Sequence, residues 1–373
     1  MKVALVHDHL AQAGGAEKVL QAICEMFPDA TIFTLLYEPE NVDKHFKNRR
    51  IRSSIIQRLP GGVKHYQWYM PLMPMAVEFF NLKTYDLVIS DASAFAKGVI
   101  TGTNTLHICY CHTPTRYLWD YTHEYIEELR FNKYFKKIIS LVLNYIRIWD
   151  KSAADRVDYY IANSKTIKSR IAKYYRRTSE VIYPPVDMDR FKVADSQGEY
   201  FLIGGRLAPY KRIDIAVKAF KELGWPLKIF GDGIDLGRLQ EMASRADNIE
   251  FLGRVSEEQK AELYKNSKAF INPQEEDFGI TVVEAMACGR PVIAYKKGGA
   301  TETVIEGQTG LFFNEQSVAS LIECLRRFKE DSFSREAIRL HAEQFSTEKF
   351  KKQMAETIQR EYERFKNGHE YLN

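Results

Sequence analysis

Two carboxylates, two cations, one histidine and two glycine turns are where this sequence can do chemistry. Glu276 and Glu284 stand eight residues apart. On one helix they would lie about 12 Å apart along its axis, farther than the roughly 5–9.5 Å of a glycosidic acid/base pair. A loop before the helix shortens that distance, so acid/base work stays open. In a second reading each carboxylate grips one end of a ligand. A carboxylate accepts two hydroxyl hydrogen bonds side by side, and charge-assisted bonds are the stronger kind, so sugar hydroxyls suit it. The bland alternative makes Glu276 a solvated loop charge and Glu284 a local cap or ion-pair partner. Arg206 and Lys211 follow the pair Gly204-Gly205 where a helix should begin. Two cations beside free backbone N–H groups suit a diphosphate; in isolation they are equally plain surface charges. Gly14 and Gly15 form a similar strand-to-helix turn, readable as an anion pocket or as a tight turn alone, and not as the GxGxxG dinucleotide pattern. His112 follows the apolar run 105–110, at the strand end where open α/β sheets place binding groups. A lone histidine there is more often structural.

The elements that must position these groups alternate along the chain. Short apolar runs at 2–6, 85–90, 105–110, 159–162, 200–204, 227–230, 249–253 and 291–295 read as buried strands. Helical stretches separate them. One follows the first glycine turn through Met26, and another carries Ile213, Ala216, Val217, Phe220 and Leu223 on one face. The stretch 280–288 is too short for an independent helix but suits a core, and Gly289-Arg290-Pro291 stops it. This punctuation is that of parallel α/β domains. At 373 residues the chain suits two of them. The polar segment 194–199 marks a boundary, giving domains at 1–193 and 194–346 and a charged terminal helix in 347–373.

The whole string 272–302, NPQEEDFGITVVEAMACGRPVIAYKKGGATE, and the GRL-x(3)-KR pattern at 205–212 resemble the donor-site signature of family-4 glycosyltransferases. These are retaining, metal-independent enzymes. The resemblance covers nearly the whole chain and is strongest at 200–310. It implies an α/β, GT-B fold: two Rossmann-like domains facing across a cleft, and a C-terminal helix crossing back to the first. The first domain would hold the acceptor and the second the nucleotide sugar. Arg206 and Lys211 would neutralise the departing diphosphate. Glu284 would hold the ribose hydroxyls and Glu276 those of the transferred sugar, with Phe278, Gly279 and Ile280 completing the donor loop. Gly14 and Gly15 would turn backbone amides to the diphosphate, and the loops at 231–233 and 253–255 would line the base. His112-Thr-Pro-Thr-Arg116 resembles a subgroup rich in mannosyltransferases, in which the matching histidine borders the transferred sugar.

His112, Arg206, Lys211 and Glu276 are therefore the expected catalytic set. The expected reaction moves mannose from GDP-mannose onto a saccharide acceptor, lipid-linked, in cell-surface polysaccharide biosynthesis such as that of O-antigen. A UDP-sugar is the alternative donor. No metal and no cofactor are expected. No double-displacement nucleophile is identifiable, so same-face attack guided by the leaving phosphate is the working mechanism. A nucleotide-sugar epimerase and a non-catalytic nucleotide-sugar-binding subunit stay open; the complete Arg206, Lys211, Glu276 and Glu284 set argues against the latter.

Composition narrows the setting. The chain is 45% hydrophobic and 27% charged with net charge +4, ordinary for a globular protein. Five cysteines, an odd number set in apolar segments, read as reduced core thiols. No apolar run approaches the ~20 residues of a membrane span, and the N-terminal one is too short for a signal peptide. The expectation is a cytoplasmic protein, at most attached to the inner membrane from one side. Seven cations and no acid lie in 44–64, followed by an aromatic and methionine-rich run to Phe80. The stretch 131–149 can be drawn as a helix with a cationic stripe and large apolar residues elsewhere. Both suit an anionic membrane surface; both are also explained by a solvated face beside a core helix. No nucleic-acid motif accompanies them, and no nucleic-acid partner is expected.

Overall fold

The computed structural model describes residues 1–11, 14–42, 44–129, 131–193 and 196–368. The chain divides into two compact units, 1–183 with 350–373, and 184–349. In the first, the runs at 2–6, 85–90, 105–110 and 159–162 become β1 (Val3–Leu10), β4 (Leu87–Ala92), β5 (Leu106–Cys111) and β6 (Tyr159–Ala162), and the structure adds β2 (Thr31–Tyr37), β3 (Ile51–Ser53) and β7 (Glu180–Val181). In the second the runs at 200–204, 227–230, 249–253 and 291–295 become β8 (Tyr200–Gly204), β9 (Leu227–Phe230), β10 (Ile249–Gly253) and β12 (Val292–Tyr295), joined by β11 (Ser267–Asn272) and β13 (Gly310–Phe313). Among the described residues the sheets run β3-β2-β1-β4-β5-β6-β7 and β10-β9-β8-β11-β12-β13, and the strand pairs are parallel. Each order reverses once, between β1 and β4 and between β8 and β11. That is the Rossmann arrangement, whose reversal point opens a crevice at the carboxyl ends of the strands.

Burial on both faces explains the unbroken apolar strands. In the first unit one face packs Leu143 and Ile146 of the helix Lys133–Ala154 with Met73, Ala76 and Val77. The other packs Val19, Leu20 and Ile23 of the helix Gly15–Met26. The terminal helix Thr347–Lys366 adds Phe350, Met354 and Ile358 to that second face. Lys351 bonds Glu25 at 2.6 Å and Arg360 bonds Glu180 at 2.6 Å. Two Rossmann-like units with a C-terminal helix constitute the GT-B fold.

Three details bear on the site. First, β1 continues past the apolar run to Leu10, so His7 sits on a strand, opposite Asp91 of β4. Second, the division at Tyr183–Pro184 precedes the polar stretch 194–199, of which residues 194 and 195 lie outside the described residues. Val186 bridges Ser346, and buried Phe191 meets Tyr264 edge-on, which ties this segment to the second unit. The end of the expected terminal helix, 369–373, is likewise outside the described residues. Third, Arg49 belongs to the fold rather than to a free basic patch. Its guanidinium donates to the carbonyls of Cys24, Phe27 and Pro28 at 2.8, 3.4 and 2.5 Å, satisfying the open end of the helix Gly15–Met26. All five cysteines are buried and unpaired.

Candidate active site

The second unit gathers its polar groups where the strand order reverses. β8 ends at Gly204 and empties into Gly205 and exposed Arg206. The loop after β9 crosses so closely that a Cβ on Gly231 would stand 1.9 Å from the Gly205 carbonyl oxygen, and Gly231 itself adopts φ 111°. No side chain fits there. A single turn, Pro209–Lys211, precedes the helix Ile213–Leu223, so Lys211 stands just before the helix and not in it. Arg212 at the junction takes φ 51°, held by Asp214 at 3.2 Å and by Gln316 at 3.2 Å.

Across the reversal, β11 delivers the loop 273–279. The Lys211 ammonium pairs directly with the Glu276 carboxylate, both side chains being mostly buried. Glu276 also lies at the start of the helix Ile280–Ala287, its Oε2 3.0 Å from where a Cβ on Gly279 would be. An anion there is favoured by the helix dipole. A neighbouring turn fixes this loop: the Gly299 N–H donates to the Glu276 carbonyl at 2.8 Å. A Cβ on Gly299 would meet the Phe278 Cα at 2.4 Å. Phe278 is buried against Phe345. Lys211, Glu276, Phe278, Gly279 and Ile280 thus share one wall.

Glu284 lies one turn further along the helix Ile280–Ala287. It is 1% exposed, and its two oxygens accept from Lys260 Nζ and Tyr264 Oη, each at 3.1 Å. Both donors lie in the helix Glu257–Lys265, where spacing offered no reason to look. Burial and the Glu284 charge together push the Tyr264 phenol well above its ordinary value.

The first unit has its own cluster at the β1/β4 reversal. Asp91, 1% exposed, receives His7 Nδ1 at 2.8 Å on one oxygen and His112 Nε2 at 2.6 Å on the other. Glu17, from the helix after the Gly14-Gly15 turn, comes within 3.7 Å of His7 Nε2. Burial opposes charge on His7, but the bonds to Asp91 and Glu17 outweigh it and raise His7 to about 10. Burial likewise opposes charge on Asp91, yet His112 and His7 hold it below the ordinary value of 3.8. The result is a buried imidazolium and carboxylate that fix the ring of His112. Gly14 is extended, φ −145°, so its role is room: a Cβ there would stand 2.8 Å from Glu17 Oε2. That oxygen is buried with no hydrogen-bond partner among the described residues.

A pH test follows from His7. A pKa raised in the folded state adds stability that is complete below the unfolded value of 6.5 and lost as pH rises through about 10. Wild type should therefore exceed a His7→Gln variant in urea midpoint most at about pH 6, and the gap should close towards pH 10. An equal gap at both ends would disprove the charged assignment.

Two residues of the string after His112 serve a buried carboxylate. Thr115 Oγ1 and Trp119 Nε1 donate to Asp150 at 3.0 and 2.8 Å; Lys97 Nζ and Tyr175 Oη do so at 2.5 and 2.9 Å. Thr115 and Trp119 are thus two of the four donors to a buried carboxylate.

Fold and site together define a glycosyltransferase. Two family models match consecutive stretches: Glycosyltransferase Family 4 over residues 13–190 and Glycosyl transferases group 1 over 187–345. The chain is a GT-B-fold glycosyltransferase related to these two families. A glycosyltransferase of Methanocaldococcus jannaschii is 29% identical over 54% of this chain and 58% of its own length, so the match spans little more than half of that relative. An alpha-1,3/1,6-mannosyltransferase of Dictyostelium discoideum is 24% identical over 94% of each chain. Among solved structures, Anabaena HepE in complex with UDP-glucose matches with TM-score 0.71 at 19% identity, covering 96% of this chain and 100% of that one.

These findings correct the donor. HepE has been solved with UDP, with UDP and glucose, and with UDP-glucose, which overturns GDP-mannose as the expected donor. The physical reason for the error is visible. The string that suggested it, 112–116, lies in the first unit beside a structural network, whereas the loops expected to line the base, 231–233 and 253–255, lie in the second.

Proposed function

We propose that this chain transfers a sugar from a UDP-sugar to a hydroxyl of a saccharide acceptor, with retention at the anomeric carbon. The observation that supports it best is the Lys211–Glu276 pair at the β8/β11 reversal, with Arg206 on the same loop. A cation and a carboxylate that neutralise one another can each exchange the partner for part of the donor: Lys211 for a phosphate oxygen, Glu276 for sugar hydroxyls. Arg206 adds a second cation to the diphosphate. Glu284, held in place by Lys260 and Tyr264, takes the ribose hydroxyls.

In the step itself the acceptor oxygen bonds to the anomeric carbon as that carbon's bond to the β-phosphate oxygen breaks. The departing phosphate takes the acceptor's proton, and Arg206 and Lys211 stabilise the charge it gains. This needs no metal. On the acceptor side, the cluster of His112, Asp91, His7 and Glu17 offers an acceptor hydroxyl the Glu17 oxygen beside Gly14, which has no hydrogen-bond partner among the described residues. A carboxylate in that place disfavours a second phosphate. A lipid-linked saccharide is the acceptor class we favour.

Ligand-induced thermal shift tests the donor directly. UDP and UDP-sugars should raise the melting temperature more than GDP or ADP at equal concentration, and the rise should survive EDTA. Saturation at about 100 times Kd corresponds to about 2.7 kcal/mol. A larger shift with GDP would remove the uridine reading. A shift abolished by EDTA would remove the metal-free one.

A further inference from the structure

We propose that the helix Lys133–Ala154 docks the protein on an anionic lipid surface through a second apolar face. A helix on a globular unit normally buries one stripe and turns polar residues outward. This one buries Leu143, Ile146, Asp150, Ala153 and Ala154. Yet Tyr134, Ile138, Leu141, Tyr145 and Ile148 are each between 54% and 72% exposed. At about 100° per residue these five fall within an arc of about 80°, on a side away from the buried one, and run about 21 Å along the axis. They are a stripe and not scattered contacts.

Charge selects the occupant. Lys133 and Lys137 stand beside that stripe in the first turns of the helix, with no acid in the first turn, while Lys136 donates to the Glu127 carbonyl at 2.9 Å. Cations there oppose the helix dipole, so nothing within the helix rewards them, whereas an external layer of anions does. No acidic residue occurs from 133 to 149, and Asp150 is buried against Lys97. Aromatic rings beside aliphatic side chains, edged by lysine, are the composition of an interfacial helix. The surface also extends. Trp149 Nε1 donates to Glu78 at 2.8 Å, joining this helix to the segment that exposes Met75 and Phe79 after exposed Trp68. No helix among the described residues is long and apolar enough to cross a membrane, so the contact is with the surface of a bilayer.

The inference stands on the helix and not on the donor assignment. The test is co-sedimentation with phosphatidylglycerol/phosphatidylcholine vesicles at low and high salt, with phosphatidylcholine alone as control. Wild type should bind the anionic vesicles, at least tenfold less at high salt, and the neutral ones weakly. The variant Ile138→Ser/Leu141→Ser/Ile148→Ser, altered only at exposed positions, should keep its melting temperature and its transfer to a water-soluble acceptor, and lose anionic binding at least tenfold. Lys133→Ser/Lys137→Ser should lose the salt dependence. Wild type that ignores anionic vesicles, a triple variant that binds like wild type, or a concentration-dependent dimer that the triple substitution dissociates would each overturn the proposal. Loss of nucleotide binding with vesicle binding intact would count against the donor reading alone.

Discussion

The Arg206→Ala/Lys211→Ala double variant should lose roughly four orders of magnitude in kcat, since removing one preorganised donor to a developing oxyanion costs about 10²–10³. The fold should survive. Arg206 is exposed, and Lys211 lies in a one-turn segment outside both sheets. Removing Lys211 does leave Glu276 without its ion-pair partner, at a site where both side chains are largely covered. A third substitution, Glu276→Gln, separates the two effects: it should restore any lost melting temperature without restoring turnover. The decisive measurement is single-turnover transfer with saturating UDP-sugar, beside calorimetry with UDP. Near-normal turnover together with unchanged UDP binding in the double variant would end the diphosphate assignment. Normal turnover with weakened UDP binding would move the two cations from the transition state to simple donor capture.

The second large effect is on stability. Asp91→Ala should cost the first unit about 3–5 kcal/mol, the usual consequence of removing one partner of a buried charged pair. At about 2–4 °C per kcal/mol for a unit of this size, its melting transition should fall by about 10 °C. Asp91 is the shared acceptor of His7 and His112, so its loss leaves a buried imidazole without a partner and frees the ring of His112. His7→Gln combined with Asp91→Asn replaces the charged pair by a neutral one of similar shape, and should recover much of the stability. It should not recover activity, because His112 is then held by an amide. A melting temperature within about 2 °C of wild type for Asp91→Ala would mean that the cluster carries little of the fold.

The alternation of short apolar runs with amphipathic helices was enough to read two parallel α/β domains, because burial on both faces writes itself into each strand separately. The donor-side string was legible for a related reason. Gly205, Lys211, Glu276, Gly279 and Gly299 lie on three loops whose turns and cations are local signals, and the structure brings Lys211 and Glu276 into contact. His112 was legible as a position at a strand end but not as part of a cluster. Its anchor, Asp91, is the last but one residue of β4, and His7, placed by the apolar run in a loop, belongs to β1.

What only the tertiary structure decided depends on contacts between distant residues. His7 meets Asp91 across 84 positions because β1 and β4 pair in one register; a slip of one residue would turn them to opposite faces. Glu284 finds Lys260 and Tyr264 on another helix, which spacing within 272–302 could not announce. In the string that suggested the donor base, Thr115 and the flanking Trp119 answer to Asp150, a partner invisible in the string itself. Periodicity in 131–149 announced a helix with ample apolar surface, and could not say how much of it the core would take. A helix has one sequence and several faces; which face is covered is settled by what packs against it, and here the sheet takes Leu143 and Ile146 while Ile138, Leu141 and Ile148 stay in solvent.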